Sequence, residues 1–185
     1  IYIGTNIKQV DGIKKELPMI PDENIVIEPQ FKDTAAAIGY GALYIKRSIK
    51  DACMVVLASD HLIKEDDVFR QKLKKCYNEA MTNNTIVTLG VKPDYPETGY
   101  GYIQFNKDTN VDGVYKVSNF CEKPDTNKAQ KYVSSGEFLW NSGIFVFKTS
   151  TILNEIKQFM PGHYNVLQDI YEVIKQGYTG KDLSD

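Results

Sequence analysis

The chain has 185 residues, of which 42% are hydrophobic and 25% are charged. This balance argues against a disordered or fibrous protein and predicts one domain with a sizeable core. The 22 Lys and Arg residues against 24 Asp and Glu residues give a formal net charge of -2, so no broad basic surface is expected and nucleic acid is not a predicted partner. No apolar run is long enough to span a membrane, and three scattered cysteines without a C-x-x-C pair predict a reduced, cytoplasmic protein.

The first half of the chain alternates short apolar runs with helical patterns. Strands are predicted at residues 1–4, 24–28, 53–58 and 85–91, with a helix from about residue 34, capped by Asp33, and another over residues 69–80. The run at 53–58 is apolar on both faces, which is typical of a central parallel strand. This β-α-β-α-β order predicts an α/β fold with a right-handed, mostly parallel sheet and helices on both faces.

The second half adds strands to this α/β unit after residue 92. Its predicted elements are strands at residues 100–105, 113–117 and 138–147, a turn at 108–110, and a helix at 127–135. Two further helical patterns follow, separated by Pro161 and Gly162. The whole chain is therefore predicted to be a single domain.

The first candidate site is the Ser59-Asp60-His61 segment, which follows the most apolar strand. Ligands of open α/β sheets bind at the carboxyl ends of strands. An Asp placed there can hold a divalent cation that bridges nucleotide phosphates. The alternative is that Asp60 caps the next turn and His61 packs against the protein.

Two further candidates are glycine-containing interruptions of hydrophobic strands. Gly99 and Gly101 flank Tyr100 ahead of a strand, and they would let the backbone approach a ligand closely, although an ordinary tight turn has the same pattern. Asn141 lies two residues before Gly143 inside an otherwise hydrophobic strand. This pattern indicates a bend at which a polar side chain faces a pocket.

The fourth candidate is the Glu122-Lys123 pair, which precedes Pro124. A carboxylate can accept hydrogen bonds from sugar hydroxyls, and a neighbouring ammonium can meet a phosphate. Adjacent strand residues point to opposite faces, so both side chains reach one ligand only if the strand ends there. Without such an ending, the pair is an exposed pair of charges.

Taken together and in this order, five segments resemble bacterial mannose-1-phosphate guanylyltransferases, also called GDP-mannose pyrophosphorylases. The segments are E-P-x-x-x-D-T-A at 28–35, L-A-S-D-H at 57–61, P-E-T-G-Y-G-Y-I at 96–103, F-C-E-K-P-D at 120–125 and L-W-N-S-G-I-F at 139–145. The resemblance covers the whole chain. It implies a Rossmann-like nucleotidyltransferase fold, in which residues 1–92 form the nucleotide side and residues 93–185 the sugar-phosphate side.

The activity implied by the resemblance is the conversion of GTP and mannose 1-phosphate into GDP-mannose and pyrophosphate, with Mg²⁺ as the cofactor. Its partners would be these small molecules, with no nucleic acid and no membrane, and the sequence leaves open whether the protein forms a homo-oligomer. The resemblance assigns Gly101 to a backbone contact with the sugar, Glu122 to the mannose hydroxyls, and Asn141 to the sugar again. It assigns Lys123 to the sugar phosphate as a catalytic group.

On the nucleotide side, the resemblance makes Asp60 a catalytic residue and a Mg²⁺ ligand, beside Ser59, and places the Thr34 region next to the nucleotide base. The chain has Lys32 and Asp33 where family members usually have Arg-Asn. It also begins after the family's Gly-rich loop and stops before the acidic segment that supplies a second Mg²⁺ ligand. We therefore expect a piece of a longer protein, truncated at both ends and inactive by itself.

Two other functions fit the same sequence. The first is a related sugar-1-phosphate nucleotidyltransferase that uses UTP or dTTP with glucose 1-phosphate. The second is a non-catalytic domain that binds sugar nucleotides. A panel of nucleotides would identify the former, and binding of GDP-mannose without turnover would identify the latter.

Overall fold

The computed structural model describes residues 1–30 and 32–178, and strands alternate with helices up to residue 91, as the sequence predicts for the first half of the chain. The strands are β1 (Ile3–Thr5), β2 (Ile25–Ile27), β3 (Cys53–Val56), β4 (Val87–Val91), β5 (Tyr102–Val111), β6 (Val114–Cys121) and β7 (Phe138–Lys148). The helices are α1 (Val10–Glu16), α2 (Asp33–Lys46), α3 (Asp66–Asn83), α4 (Thr126–Ser135), α5 (Thr149–Phe159) and α6 (Pro161–Lys175). In these two described ranges no helix is both long and apolar enough to cross a bilayer.

The chain forms two compact units. One comprises residues 1–54 and the segment from Lys148 onward, and the other comprises Val55–Phe147. This division is defined by the packing of the chain and does not test the predicted boundary at residue 92. That boundary, which assigns the nucleotide to one half of the chain and the sugar phosphate to the other, stays a prediction.

The first unit is built around α2, which packs against α5 and α6. Its β1 and β2 form a two-stranded parallel sheet in which Ile3 lies opposite Ile25. Its core includes Val26, Leu43 and Ile174, each at most 3% exposed. Burial of each such side chain contributes roughly 2 kcal/mol, which offsets the cost of ordering the helices.

The five-stranded sheet, most of which lies in the second unit, has the strand order β3-β7-β5-β6, in which β4 also pairs with β7. The β4–β7, β5–β6 and β5–β7 pairs are antiparallel. The α/β fold class is confirmed, but this sheet is not mostly parallel as the strand–helix order suggests. The reason is that β7 has 11 residues and pairs with several strands along its length, while β5 and β6 join as a local hairpin.

Three local predictions are corrected by the structure. The run at 53–58 is not a doubly buried central strand, since β3 stands at one end of the strand order and Val55 and Leu57 are 40% and 52% exposed. The hairpin turn lies at Asp112 and Gly113, whose φ angles of 53° and 82° give the twist that a two-residue turn needs, and not at 108–110. Asp33 does not cap α2 as predicted: it is the first residue of the helix, has a φ of 62°, and the start of α2 has no side-chain cap.

The predicted helix at 127–135 is confirmed as α4, and its ends show why. The Asp125 side chain accepts a hydrogen bond from the Lys128 backbone N–H at 2.9 Å, and the helix ends at Gly136 in the left-handed conformation. On its inner side, Ala129 packs with Tyr102 and Phe138 of the sheet. Helix α4 therefore covers the start of β5 and the part of β7 that precedes Asn141.

Candidate functional site

Strand β7 bends where Asn141 is located, as the sequence predicts. Thr88 lies opposite Phe145, and Gly90 lies opposite Asn141, so two steps along β4 match four steps along β7. Two extra residues are thus accommodated in a β-bulge. Gly143, within this bulge, has a φ of 72°, a conformation that glycine adopts without strain.

The bulge holds the side chain of Asn141 by its oxygen. Oδ1 of Asn141 accepts hydrogen bonds from the Gly143 backbone N–H at 3.2 Å and from the Thr88 hydroxyl at 3.3 Å. The backbone N–H of Asn141 donates to the Gly101 carbonyl at 2.8 Å. None of these hydrogen bonds uses the two donors of the Nδ2 group.

Gly101 brings the backbone close to the carboxylate of Glu122. A Cβ atom added to Gly101 would lie 2.9 Å from Glu122 Oε2 and 3.1 Å from Cε1 of the Phe120 ring. No residue with a side chain can occupy this buried position unless its neighbours move. The structure therefore groups three predicted sugar-binding residues, because Gly101 adjoins both the Glu122 carboxylate and the Asn141 backbone.

The Glu122-Lys123 pair stands where β6 has ended. The strand stops at Cys121, and Lys123 has a φ of 39°, which turns the chain away from the strand direction. Both side chains are exposed, whereas Pro124 is buried. The strand ending that would let both charges face one ligand is thus present, while their roles stay predictions.

The loop before Gly101 is fixed by contacts that the sequence analysis does not identify. The rings of Tyr95 and Tyr100 meet Trp140 edge-on at centroid distances of 5.0 and 5.4 Å. The Tyr102 hydroxyl donates to the Glu97 carbonyl at 2.8 Å, and the Glu97 carboxylate accepts from the Gly99 N–H at 2.7 Å. The sequence shows several aromatic residues in this segment but not which of them pack together. The contacts with Trp140 depend on strands that are far apart in sequence.

Ser59 and Asp60 form a turn that follows β3, and both are exposed. The described part of the chain contains no group of three His, Cys, Asp or Glu side chains that could hold a metal ion without other ligands. A single exposed carboxylate fits Mg²⁺ in the manner common at nucleotide sites, where phosphate oxygens and water provide most of the ligands. Asp60 is therefore compatible with the predicted role.

Thr34 lies in the first unit, exposed near the start of α2. The same unit has a cavity of about 550 Å³ between the segment that precedes α2, α2 itself and α6, and Thr34 is not among the residues that line it. Glu28 and Lys32 of the recognised motif line this cavity together with Tyr40 and Leu167. Phe31 of the same motif lies outside the described residues.

Two groups in the lining of this cavity have shifted pKa values. Burial raises the pKa of the Glu28 carboxyl above 4.5. Burial is the main cause that raises the pKa of Tyr40 to about 12. The neighbouring Tyr44 raises this pKa further, whereas the positive charge of Arg47 lowers it. The Tyr40 hydroxyl is buried and has no hydrogen-bond partner among the residues that the structure describes. The wall of the cavity near α2 is therefore uncharged at Tyr40 and holds a half-buried carboxyl at Glu28.

Comparison with known proteins gives a consistent result. The nucleotidyl transferase family model matches residues 5–182. A mannose-1-phosphate guanylyltransferase of Escherichia coli K12 is 42% identical over 146 residues, which are 75% of this chain and 30% of that protein. One from Klebsiella pneumoniae is 37% identical over 162 residues, covering 86% and 34%. The chain thus spans about a third of the length of these curated relatives.

A solved structure extends the comparison to the fold. The crystal structure of mannose-1-phosphate geranyltransferase from Thermus thermophilus superposes with a TM-score of 0.82 at 26% identity. The match covers 98% of this chain and 50% of that one. The strands and helices that surround Asn141 are therefore part of a fold shared over nearly the whole chain.

Proposed function

Because the chain belongs to the nucleotidyl transferase family, we propose that the protein transfers a guanylyl group from GTP to mannose 1-phosphate. The grouping of Gly101, Glu122 and Asn141 at the junction of β5, β6 and β7 is the observation on which this proposal rests. The similarity to guanylyltransferases at 37% and 42% identity supports the choice of substrates.

The chemistry of this group suits a sugar. The Glu122 carboxylate only accepts hydrogen bonds, whereas the Nδ2 group of Asn141 only donates them. A sugar hydroxyl has one proton to give and two lone pairs that accept, so the hydroxyls of one sugar can pair with both kinds of side chain. The missing Cβ at Gly101 is what lets the Glu122 carboxylate and the Phe120 ring approach the backbone this closely.

The reaction requires positioning and charge neutralisation rather than a nucleophilic side chain. A phosphate oxygen of mannose 1-phosphate attacks the α-phosphorus of GTP, and a new P–O bond forms. The bond from the α-phosphorus to the bridging oxygen breaks, and pyrophosphate leaves with that electron pair. The Lys123 ammonium would pair with the sugar phosphate, whose attacking oxygen it holds in place.

The nucleotide side of the proposal involves Asp60, Ser59 and Thr34. Asp60 would hold Mg²⁺, which when bound supplies charge neutralisation at the phosphates of GTP. Ser59 would stand beside these phosphates, and the Thr34 region would adjoin the base. The exposure of all three side chains is what supports this part of the proposal, since each is free to meet a ligand.

The test is a substrate panel with the full-length gene product. GTP, UTP and dTTP are each combined with mannose 1-phosphate or glucose 1-phosphate, with and without Mg²⁺, and pyrophosphate release is measured. We expect the highest kcat/KM for GTP with mannose 1-phosphate and loss of turnover without the metal. A preference for UTP or dTTP with glucose 1-phosphate would replace the proposed substrates, and calorimetric binding of GDP-mannose without any turnover would indicate a binding domain.

A further inference from the structure

Thr88 contacts Asn141 across 53 residues of sequence. Its hydroxyl oxygen lies 3.3 Å from Asn141 Oδ1 and 3.2 Å from the Ile144 carbonyl oxygen. The hydroxyl has one proton, which these two acceptors share. The β-bulge brings both acceptors to Thr88, because without the extra residues Asn141 would lie further along β4.

The orientation of the Asn141 amide follows from its partners. A backbone N–H can only donate, so the atom that faces the Gly143 N–H at 3.2 Å is the amide oxygen. The Thr88 hydroxyl approaches the same oxygen as a second donor. With its oxygen held from two sides, the amide presents Nδ2 away from the bulge.

We infer that Thr88 is a positioning residue, which sets the Asn141 amide so that it donates hydrogen bonds to the sugar. This inference rests on the proposed function and deepens it. If the amide were reversed, it would present its oxygen to the sugar in place of Nδ2. An amide oxygen cannot donate, so a sugar atom that accepts from Nδ2 would lose that hydrogen bond.

The test is a double-mutant cycle between Thr88→Val and Asn141→Ala, measured with GTP and mannose 1-phosphate. Valine keeps the branched shape of threonine and removes the hydroxyl. We expect Thr88→Val to raise the KM for mannose 1-phosphate by roughly two- to tenfold, the range of one net hydrogen bond, and to leave the KM for GTP unchanged. In the Asn141→Ala background the same substitution should have no further effect, because the group it positions is gone.

Two other variants separate positioning from a general loss of packing. Thr88→Ser keeps the hydroxyl and should restore the KM to within about twofold of the wild type, less than the range of one net hydrogen bond. Ser142→Ala removes a different hydroxyl of the same bulge, one that donates to the Leu89 carbonyl at 2.7 Å. It should lower the melting temperature while leaving the KM for mannose 1-phosphate unchanged.

Three results would overturn the inference: equal effects of Thr88→Val in both backgrounds, failure of Thr88→Ser to restore the KM, or a KM increase for Ser142→Ala that matches Thr88→Val. If the wild-type protein forms no GDP-mannose, the proposed function fails separately. The hydrogen bond is then tested by NMR of the Asn141 side-chain amide. Its resonances should shift in Thr88→Val and return in Thr88→Ser, and unchanged resonances would overturn the inference.

Discussion

At position 101, a single methyl group would be enough to disturb the proposed sugar site. The Cβ of Gly101→Ala would lie 2.9 Å from Glu122 Oε2 and 3.2 Å from Cζ of the Phe120 ring, closer than such atoms pack. The carboxylate must therefore move away from its position. We expect the KM for mannose 1-phosphate to rise on the order of tenfold, equivalent to about 1.4 kcal/mol, with the KM for GTP unchanged.

Gly12→Ala is the matched control for this substitution. A Cβ at Gly12 would have no atom within 4 Å, and the residue lies in α1. Alanine is favoured over glycine in helices by about 1 kcal/mol, so this variant should be at least as stable as the wild type and equally active. If both variants had the same kinetics as the wild type, the carboxylate of Glu122 would not bind the sugar at this position.

Glu122 and Lys123 should differ in the part of the substrate that each recognises. In Glu122→Gln one acceptor oxygen becomes a donor, so mannose 1-phosphate should bind more weakly while GTP binds as before. Lys123→Ala leaves the phosphate charge unpaired, and it should both lower kcat and raise the KM for mannose 1-phosphate. Steady-state kinetics with each substrate varied in turn distinguishes the two. If both variants changed only the KM for GTP, the sugar pocket would lie elsewhere.

The candidate site residues that the sequence singles out are those that break a local pattern. Gly101 and Asn141 interrupt hydrophobic strands, and the Glu122-Lys123 pair closes one, so each is noticeable without any neighbour. Thr88 is not noticeable in this way, because threonine is common in strands. Its contact with Asn141 depends on how β4 pairs with β7, and a local pattern contains no information about that pairing.

At the scale of elements, the bulge in β7 should depend on Gly143. Its φ of 72° costs roughly 1–2 kcal/mol for a residue with a Cβ. Gly143→Ala should therefore destabilise the protein and displace the adjoining Asn141, raising the KM for mannose 1-phosphate. Chemical denaturation and kinetics on the same preparation measure both effects.

Gly136→Ala gives the comparison for that variant. Gly136 has a φ of 64° at the end of α4, so alanine there has a similar conformational cost at a position that does not adjoin Asn141. We expect similar destabilisation with unchanged kinetics. A KM increase of equal size in both variants would show that lost stability, and not the bulge, affects the site.

Among the elements, those specified by local chemistry were predictable and those specified by pairing were not. Helix α4 has an Asp cap and a closing glycine, and its predicted bounds differ from the observed ones by one residue. Helix α1 escaped prediction because it has only seven residues and few apolar ones. The position of β3 at one end of the strand order depends on which strands adjoin β7, and an apolar run is the same in the middle of a sheet or at its end.

For the molecule as a whole, the chain leaves the first compact unit after Met54 and returns to it at Lys148. Helices α5 and α6 pack against α2, although more than 100 residues separate them in sequence. Amphipathic patterns predict each of these helices but do not show which ones pack together. The sequence therefore predicts the family and the α/β class without predicting this division.

Within the first unit, the outgoing and returning segments are joined by hydrogen bonds around Asp51. Its carboxylate accepts from the Ser150 backbone N–H at 3.0 Å and from the Thr149 hydroxyl at 3.1 Å. The backbone N–H of Thr149 donates to the Ala52 carbonyl at 2.8 Å. Because the residue that precedes α5 makes no side-chain cap, Asp51 caps this helix from another part of the chain.

The charge of Asp51 should make the stability of the protein depend on pH. Burial alone would raise the pKa of this carboxyl, but the hydrogen bonds from Ser150 and Thr149 outweigh it. The charge of Lys148 acts in the same direction, and the pKa in the folded protein is lower than 3.8. A lowered pKa means that the ionised form stabilises the fold above the unfolded value, and that this contribution disappears as the pH falls through the folded value.

Asp51→Asn keeps an oxygen that can accept both hydrogen bonds but removes the charge beside the start of α5, so it should lower the free energy of unfolding by roughly 0.3–1 kcal/mol at neutral pH. The difference from the wild type should be constant between about pH 7 and pH 5, and it should shrink below 3.8, because the protonated wild-type carboxyl is then neutral like the amide. Urea unfolding at a series of pH values measures it. Asp169→Asn removes the same charge from an exposed position within α6, and as an ordinary surface change it should alter stability by less than about 0.5 kcal/mol at every pH. A difference for Asp51→Asn that persists or grows below pH 3.8 would show that the ionised carboxylate is not what stabilises the start of α5.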